Sequence, residues 1–190
     1  MTPLHLPPWS PELGTPPPEG DLTWAYPWPA GERLARDLAE VVDCQGRTCA
    51  ELGCGRGRTG LTALALGATA VTFCDIAREP LEYVQKALAA HSFTARGSTC
   101  QHPWGEPLPA GPYDIIFGAD ILYRPTFHGA IFTSIAASLA PLGLALLADP
   151  RSELEPELNF LAEALGLQVT AIRRPGPYTL LRVTRAGEQA

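Results

Sequence analysis

The sequence predicts an α/β fold: a doubly wound, mostly parallel seven-stranded sheet with one antiparallel strand near the C-terminus. Three observations predict it. From about residue 30, strand-length apolar runs alternate with stretches of helical period, and strict alternation builds a parallel sheet with helices on both faces. A glycine-rich turn, Gly53-Cys54-Gly55-Arg56-Gly57, follows the first strand-like run. The chain closes with two strand-like runs and a short connector. A short connector joins antiparallel neighbours, because a parallel pair needs a long crossover.

Residues 30–42 place Leu34, Leu38, Val41 and Val42 on one helical face. A strand over 48–52 ends in glycines, and a helix over 59–66 is stopped by Gly67. A strand over 70–74 has Asp75 at its end, and Pro80 suits the first turn of a helix over 79–90. A weak strand over 95–99 precedes a buried one over 113–118. A helix over 126–139 keeps Ile131, Ile135 and Leu139 in register. Strand 142–148 and helix 153–165 follow, then strands 167–172 and 178–183 joined by Arg-Arg-Pro-Gly-Pro. Residues 1–23 include Pro16-Pro17-Pro18 and form neither helix nor central strand. They read as a proline-rich arm, laid over the domain by Leu6 and Trp9 or left as a tail. Residues 24–190 are one domain.

The formal net charge of -6 argues against nucleic acid as main partner, since gripping many phosphates calls for a basic excess. It suits a basic protein segment or a small amine. Five cysteines, Cys44, Cys49, Cys54, Cys74 and Cys100, match no zinc spacing and read as free thiols in a reducing compartment. The N-terminus has no basic region, its prolines would break an apolar signal segment, and no run is long enough to span a membrane. The expected compartment is the cytoplasm. Lys86 is the only lysine among many arginines, a bias of GC-rich bacterial genomes.

In an open α/β sheet, ligands bind at the carboxyl ends of the strands, where strand order reverses. The glycine turn lies there, and its glycines let the main chain approach a ligand closely. A dinucleotide fingerprint would require a third glycine where Arg58 stands. Asp75 ends the second strand, where a carboxylate can accept both ribose hydroxyls of a nucleoside or cap the following helix. The run Asp120-Ile121-Leu122-Tyr123 follows the strand at 113–118.

Glu51-Leu52-Gly53-Cys54-Gly55-Arg56-Gly57 resembles motif I of class I, Rossmann-like, seven-β-strand S-adenosylmethionine-dependent methyltransferases. Asp120-Ile121-Leu122-Tyr123 resembles the Asp-x-x-Tyr form of the family-16 branch, which includes many protein lysine methyltransferases; the Pro-Pro of nucleobase amino-methyltransferases is absent. The stretch from Trp24 to Gly31 is similar to one in lysine methyltransferases that modify the electron-transfer flavoprotein β subunit. Ala148-Asp149-Pro150-Arg151 resembles a Gly-Asp-Pro-Gly-Arg of those enzymes, with one glycine missing.

The resemblance implies S-adenosyl-L-methionine as cofactor, bound through Trp28, Glu51, Gly53, Cys54, Gly55, Asp75, Ile76, Trp104 and Ala119, with no metal. Glu51 would serve its amino-acid end, Asp75 its ribose, and Ile76 would pack on its adenine. Asp120 and Tyr123 are the implied catalytic pair: Asp120 positions the incoming nitrogen, and Tyr123 forms an aromatic wall that holds a cationic nitrogen. The implied reaction is methyl transfer to an amine, first a protein lysine, with a small-molecule N- or O-methyltransferase or a non-catalytic binder as the alternatives. Relatives often carry Asp-Trp after the third strand. Here Pro103 precedes Trp104, so adenine recognition falls to backbone groups, to Gln101 or His102, or to water.

Overall fold

The computed structural model describes residues 23–151, 154–172 and 178–187. The elements alternate as expected: α1 (Pro29–Val41), β1 (Thr48–Leu52), α2 (Arg58–Ala65), β2 (Ala70–Asp75), α3 (Arg78–Ala90), β3 (Gly97–Gln101), β4 (Tyr113–Ala119), α4 (His128–Ser138), β5 (Leu139–Asp149), α5 (Glu155–Glu163), β6 (Leu167–Ile172) and β7 (Thr179–Arg185). The sheet order is β3-β2-β1-β4-β5-β7-β6. Only β7 is antiparallel, inserted between β5 and β6. The order reverses between β1 and β4, which opens the ligand crevice above their carboxyl ends.

Both sheet faces are buried, so the central strands are apolar without a polar face. Leu34 and Leu38 of α1, Leu61 and Leu64 of α2, and Val84 and Leu88 of α3 pack one face with Cys49, Phe73 and Phe117. Ile131, Phe132 and Ile135 of α4 and Leu158 of α5 pack the other with Ala50, Ile116 and Leu147.

The helix expected over 126–139 is shorter. Pro125–Phe127 forms a 3-10 turn before α4, and Leu139 already pairs with Tyr113 as the start of β5. The next regular pair is Ile115 with Leu144, so β5 bulges by several residues. Leu142 takes φ 59 there. At Gly143 a Cβ would lie 2.9 Å from the Tyr113 carbonyl oxygen, which is why that position has no side chain. The weak strand sits two residues later than expected, as β3. Gly97 faces Leu88 so closely that a Cβ would come within 2.2 Å of Leu88 Cδ2. The proline-rich arm, apart from Thr23, and the Arg-Arg-Pro-Gly-Pro connector lie outside the described residues.

Candidate active site

The glycine turn after β1 is held by two backbone bonds. Cys54 N–H donates to the Cys74 carbonyl at 2.9 Å and Gly57 N–H to the Cys54 carbonyl at 2.6 Å. Gly53 and Gly55 have φ 58 and 47, a region that side chains avoid. Their close neighbours come from elsewhere in the chain. A Cβ on Gly53 would lie 2.8 Å from Ile121 Cγ2 and 3.4 Å from Trp104; one on Gly55 would lie 3.1 Å from the Trp24 carbonyl oxygen. Thus the turn, Asp120-Ile121-Leu122-Tyr123, Trp104 and the Trp24 segment converge. The Cys54 side chain itself points into the core, and burial raises its thiol well above the ordinary range.

Glu51 is buried, and its carboxylate accepts the N–H groups of Thr59 at 3.2 Å and Gly60 at 2.9 Å. These are free donors at the start of α2, where the helix dipole favours negative charge. Desolvation nevertheless dominates and pushes its pKa up to about 7. The space is tight: a Cβ on Gly60 would lie 2.4 Å from Phe73 Cε1 and 2.8 Å from Glu51 Oε2. Gly60→Ala is therefore expected to destabilise the fold by about 1–3 kcal/mol through overpacking, read as a lowered urea midpoint at unchanged slope.

Asp75 links the turn to the β2 end. It accepts Gly55 N–H at 3.0 Å through Oδ2 and Ala77 N–H at 3.1 Å through Oδ1. Burial raises its pKa against the pull of those amides. Beside it the Ile76 side chain is 64% exposed, an apolar surface next to a carboxylate. The Gln101 side-chain Nε2–H donates to the Ile76 carbonyl at 2.8 Å. The His102 ring turns inward to the Glu106 carbonyl at 3.2 Å. Of the two side chains considered for adenine recognition, Gln101 is the one beside Ile76.

Asp120 has φ 56, uncommon for a residue with a side chain. Its N–H donates to the Ala148 carbonyl at 2.8 Å, and its Oδ2 accepts Gly31 N–H from the first turn of α1 at 3.1 Å. Ala119 packs beside the same glycine, 3.5 Å from where a Gly31 Cβ would stand. Burial raises the Asp120 carboxyl, more than the Gly31 amide lowers it. Asp149 ends β5 close by, buried and clamped by Arg151 at 2.7 and 2.8 Å. Tyr123 is 58% exposed, with the Arg124 guanidinium 5.6 Å from its ring centre. One side of that ring thus already carries a cation of the chain itself. Trp28 is exposed; its indole N–H donates to the Thr23 carbonyl at 2.7 Å, and its ring meets Tyr26 edge-on. Trp104 stacks edge-on against Phe127 at 5.3 Å.

A family model for lysine methyltransferases matches residues 27–161. This chain belongs to that family. Among relatives, it is 35% identical to "Protein N-lysine methyltransferase METTL21A" of Danio rerio over 64% of this chain and 57% of that one. It is 37% identical to "EEF1A lysine methyltransferase 3" of Mus musculus over 47% and 39%. The chain thus spans less than two thirds of the length of these relatives. Its fold matches the solved structure of a ribosomal protein L11 methylase from Lactobacillus delbrueckii subsp. bulgaricus with a TM-score of 0.71, at 17% identity, over 85% of this chain and 81% of that one.

Membership in the lysine methyltransferase family carries with it S-adenosyl-L-methionine as cofactor. The residues fit such a group: an adenosine needs an apolar face and a carboxylate together, and exposed Ile76 beside Asp75 supplies both. Among the described residues, no group of three or more His, Cys, Asp and Glu is placed to hold a metal ion, and no helix is long and apolar enough to cross a membrane. Sequence reasoning missed three members of the site. Ile121 closes on Gly53, Gly31 supplies the N–H that holds Asp120, and His128 holds the Leu122 carbonyl. The first lay inside Asp-x-x-Tyr and the second at the end of the Trp24–Gly31 stretch; His128 carried no signal.

Proposed function

We propose that this chain transfers a methyl group from S-adenosylmethionine to the side-chain nitrogen of a protein lysine. The observation that carries the reading is the close approach of Ile121, the neighbour of Asp120 in Asp-Ile-Leu-Tyr, to Gly53 of the glycine turn. The relatives matched by sequence support a protein acceptor, and the net charge of -6 suits a basic segment. The similarity of Trp24–Gly31 and Ala148–Arg151 to methyltransferases of the electron-transfer flavoprotein β subunit suggests one candidate acceptor protein.

When bound, the cofactor supplies a methyl group already activated by a positive sulfur. The chain's task is alignment and exclusion of water. Asp75 accepts the ribose hydroxyls, Ile76 and Trp104 line the adenosine, and the main chain at Gly53, Cys54 and Gly55 leaves room for the amino-acid end. Glu51 acts on that end through its charge, because its side chain is buried with both oxygens against the start of α2. Trp28 and Ala119 complete the wall. Asp120 accepts a hydrogen of the incoming amine and fixes its approach. A carboxylate beside an amine favours the ammonium form, so the proton leaves to water before the site closes. Tyr123 guides the aliphatic stem of the lysine with its exposed ring.

Calorimetric titration with S-adenosylmethionine and S-adenosylhomocysteine tests the cofactor site, and labelled methyl transfer into basic proteins tests the acceptor. Binding of both at about micromolar Kd is expected, and Asp75→Ala should weaken both by about 10- to 100-fold through loss of charge-assisted hydrogen bonds. No binding of either would favour a non-catalytic binder. Label found in small amines and never in protein would move the acceptor to a small molecule.

A further inference from the structure

His128 opens α4 and is fully buried, although nothing in methyl transfer calls for it there. Its Nε2 lies 2.8 Å from the carbonyl oxygen of Leu122, the third residue of Asp-Ile-Leu-Tyr. A carbonyl only accepts, so Nε2 carries the hydrogen. On the other side of the ring, Nδ1 faces Glu157 Oε1 of α5 at 3.5 Å. A buried carbonyl left without a donor is costly. Leu122 is itself fully buried, and among the described residues no backbone N–H outside regular helices and strands takes its oxygen. The imidazole thus closes residues 122–128 into a loop, pinned to the start of α4.

A strained residue lies just before this loop, and an exposed ring lies within it. Asp120 keeps its φ of 56 only while its surroundings hold it. Its upstream restraints are the Ala148 carbonyl and the Gly31 N–H. Downstream, Ile121 and Leu122 are buried, while Tyr123 emerges 58% exposed. The Leu122–Tyr123 peptide therefore sets where the Tyr123 ring points, and His128 grips the oxygen of that peptide. We propose that His128 is a positioning residue for methyl transfer: its imidazole, by donating to the Leu122 carbonyl, fixes the Leu122–Tyr123 peptide and so the direction of Tyr123 at the acceptor site. The role at the acceptor rests on the function proposed above; the fixing of the peptide does not.

The test reads the ring directly and requires no acceptor. The full chain is labelled with 3-fluorotyrosine at its five tyrosines, and Tyr123→Phe assigns the line. In the wild type, imidazole nitrogen NMR should find a slowly exchanging hydrogen on His128 Nε2; an Nε2 that carries no hydrogen overturns the proposal even if no variant folds. His128→Leu should shift or broaden the Tyr123 line alone, and His128→Gln, whose amide can still donate to Leu122, should restore it. A Tyr123 line unmoved in His128→Leu overturns the proposal, as does a movement of all five lines together, which marks general packing. With a methyl acceptor in hand, kcat of His128→Leu should fall about 10- to 100-fold, with the cofactor KM unchanged and His128→Gln recovering most of the rate. If the chain transfers no methyl group, the fluorine and nitrogen spectra still decide the positioning claim.

Discussion

Replacing Asp120 with Ala is expected to abolish methyl transfer, lowering kcat by about two to three orders of magnitude, while the Kd for S-adenosylhomocysteine changes by less than about threefold. The side chain does three things, and the variants separate them. Its Oδ2 holds Gly31 N–H at the start of α1, a cap whose loss costs about 1 kcal/mol. Its backbone holds φ 56, which costs Ala about 1–2 kcal/mol more than a residue at home there. In the proposed reaction its charge would face the acceptor amine. Asp120→Asn keeps an oxygen for Gly31 and tolerates the left-handed backbone, so its stability should match the wild type. If Asn also fails to transfer methyl groups, the carboxylate charge is what positions the nitrogen. If Asn is fully active, the role is structural and the assignment of Asp120 is wrong. Asp120→Gly relieves the backbone without a cap and should be as inactive as Ala.

Glu51→Gln should flatten the pH dependence of stability between about pH 4.5 and 7. The folded carboxyl is raised from 4.5 to about 7 by burial, so in that window the folded state holds a proton that the unfolded chain has released. Stability from this group therefore falls as pH rises through the window and is fully lost above about 7. At 1.36 kcal/mol per pKa unit the loss is about 3 kcal/mol. Asp75 and Asp120, also raised by burial, add in the same direction, so the variant isolates Glu51 from the sum. Urea midpoints at pH 5 and 8 measure it: the wild type should lose stability across that range, and Glu51→Gln should lose about 3 kcal/mol less. Equal losses would mean that Glu51 titrates normally. The same proton links to the proposed cofactor site. A positive ligand near Glu51 favours its charged form, so binding should release a proton near pH 7 and tighten as pH rises through 7. Calorimetry in buffers of different ionisation enthalpy would count that proton.

The sheet was legible because its signals are local. Alternating apolar runs recur every few residues, and Asp75 and Asp120 each stand directly after a strand that could be read from its own composition. Arg58 in place of a third glycine separated two cofactor classes within seven residues. The β5 bulge was not legible: it arises where Gly143 meets the carbonyl of Tyr113 on a neighbouring strand. Glu51 was read as a ligand group, but whether its oxygens face a cofactor or the amides of Thr59 and Gly60 depends on how α2 is set over β1.

From its sequence alone this chain is determined as a doubly wound α/β protein with a glycine turn at its crevice, a carboxylate after the second strand and an Asp-x-x-Tyr after the fourth. These follow from period, turn chemistry and strand ends, all written over a few adjacent residues. Only the tertiary structure decided that Gly31, 89 residues away, holds Asp120, that Ile121 closes on Gly53, and that His128 holds the Leu122 carbonyl. Those contacts join segments far apart in the chain, and their geometry exists only once two faces of the sheet have been packed.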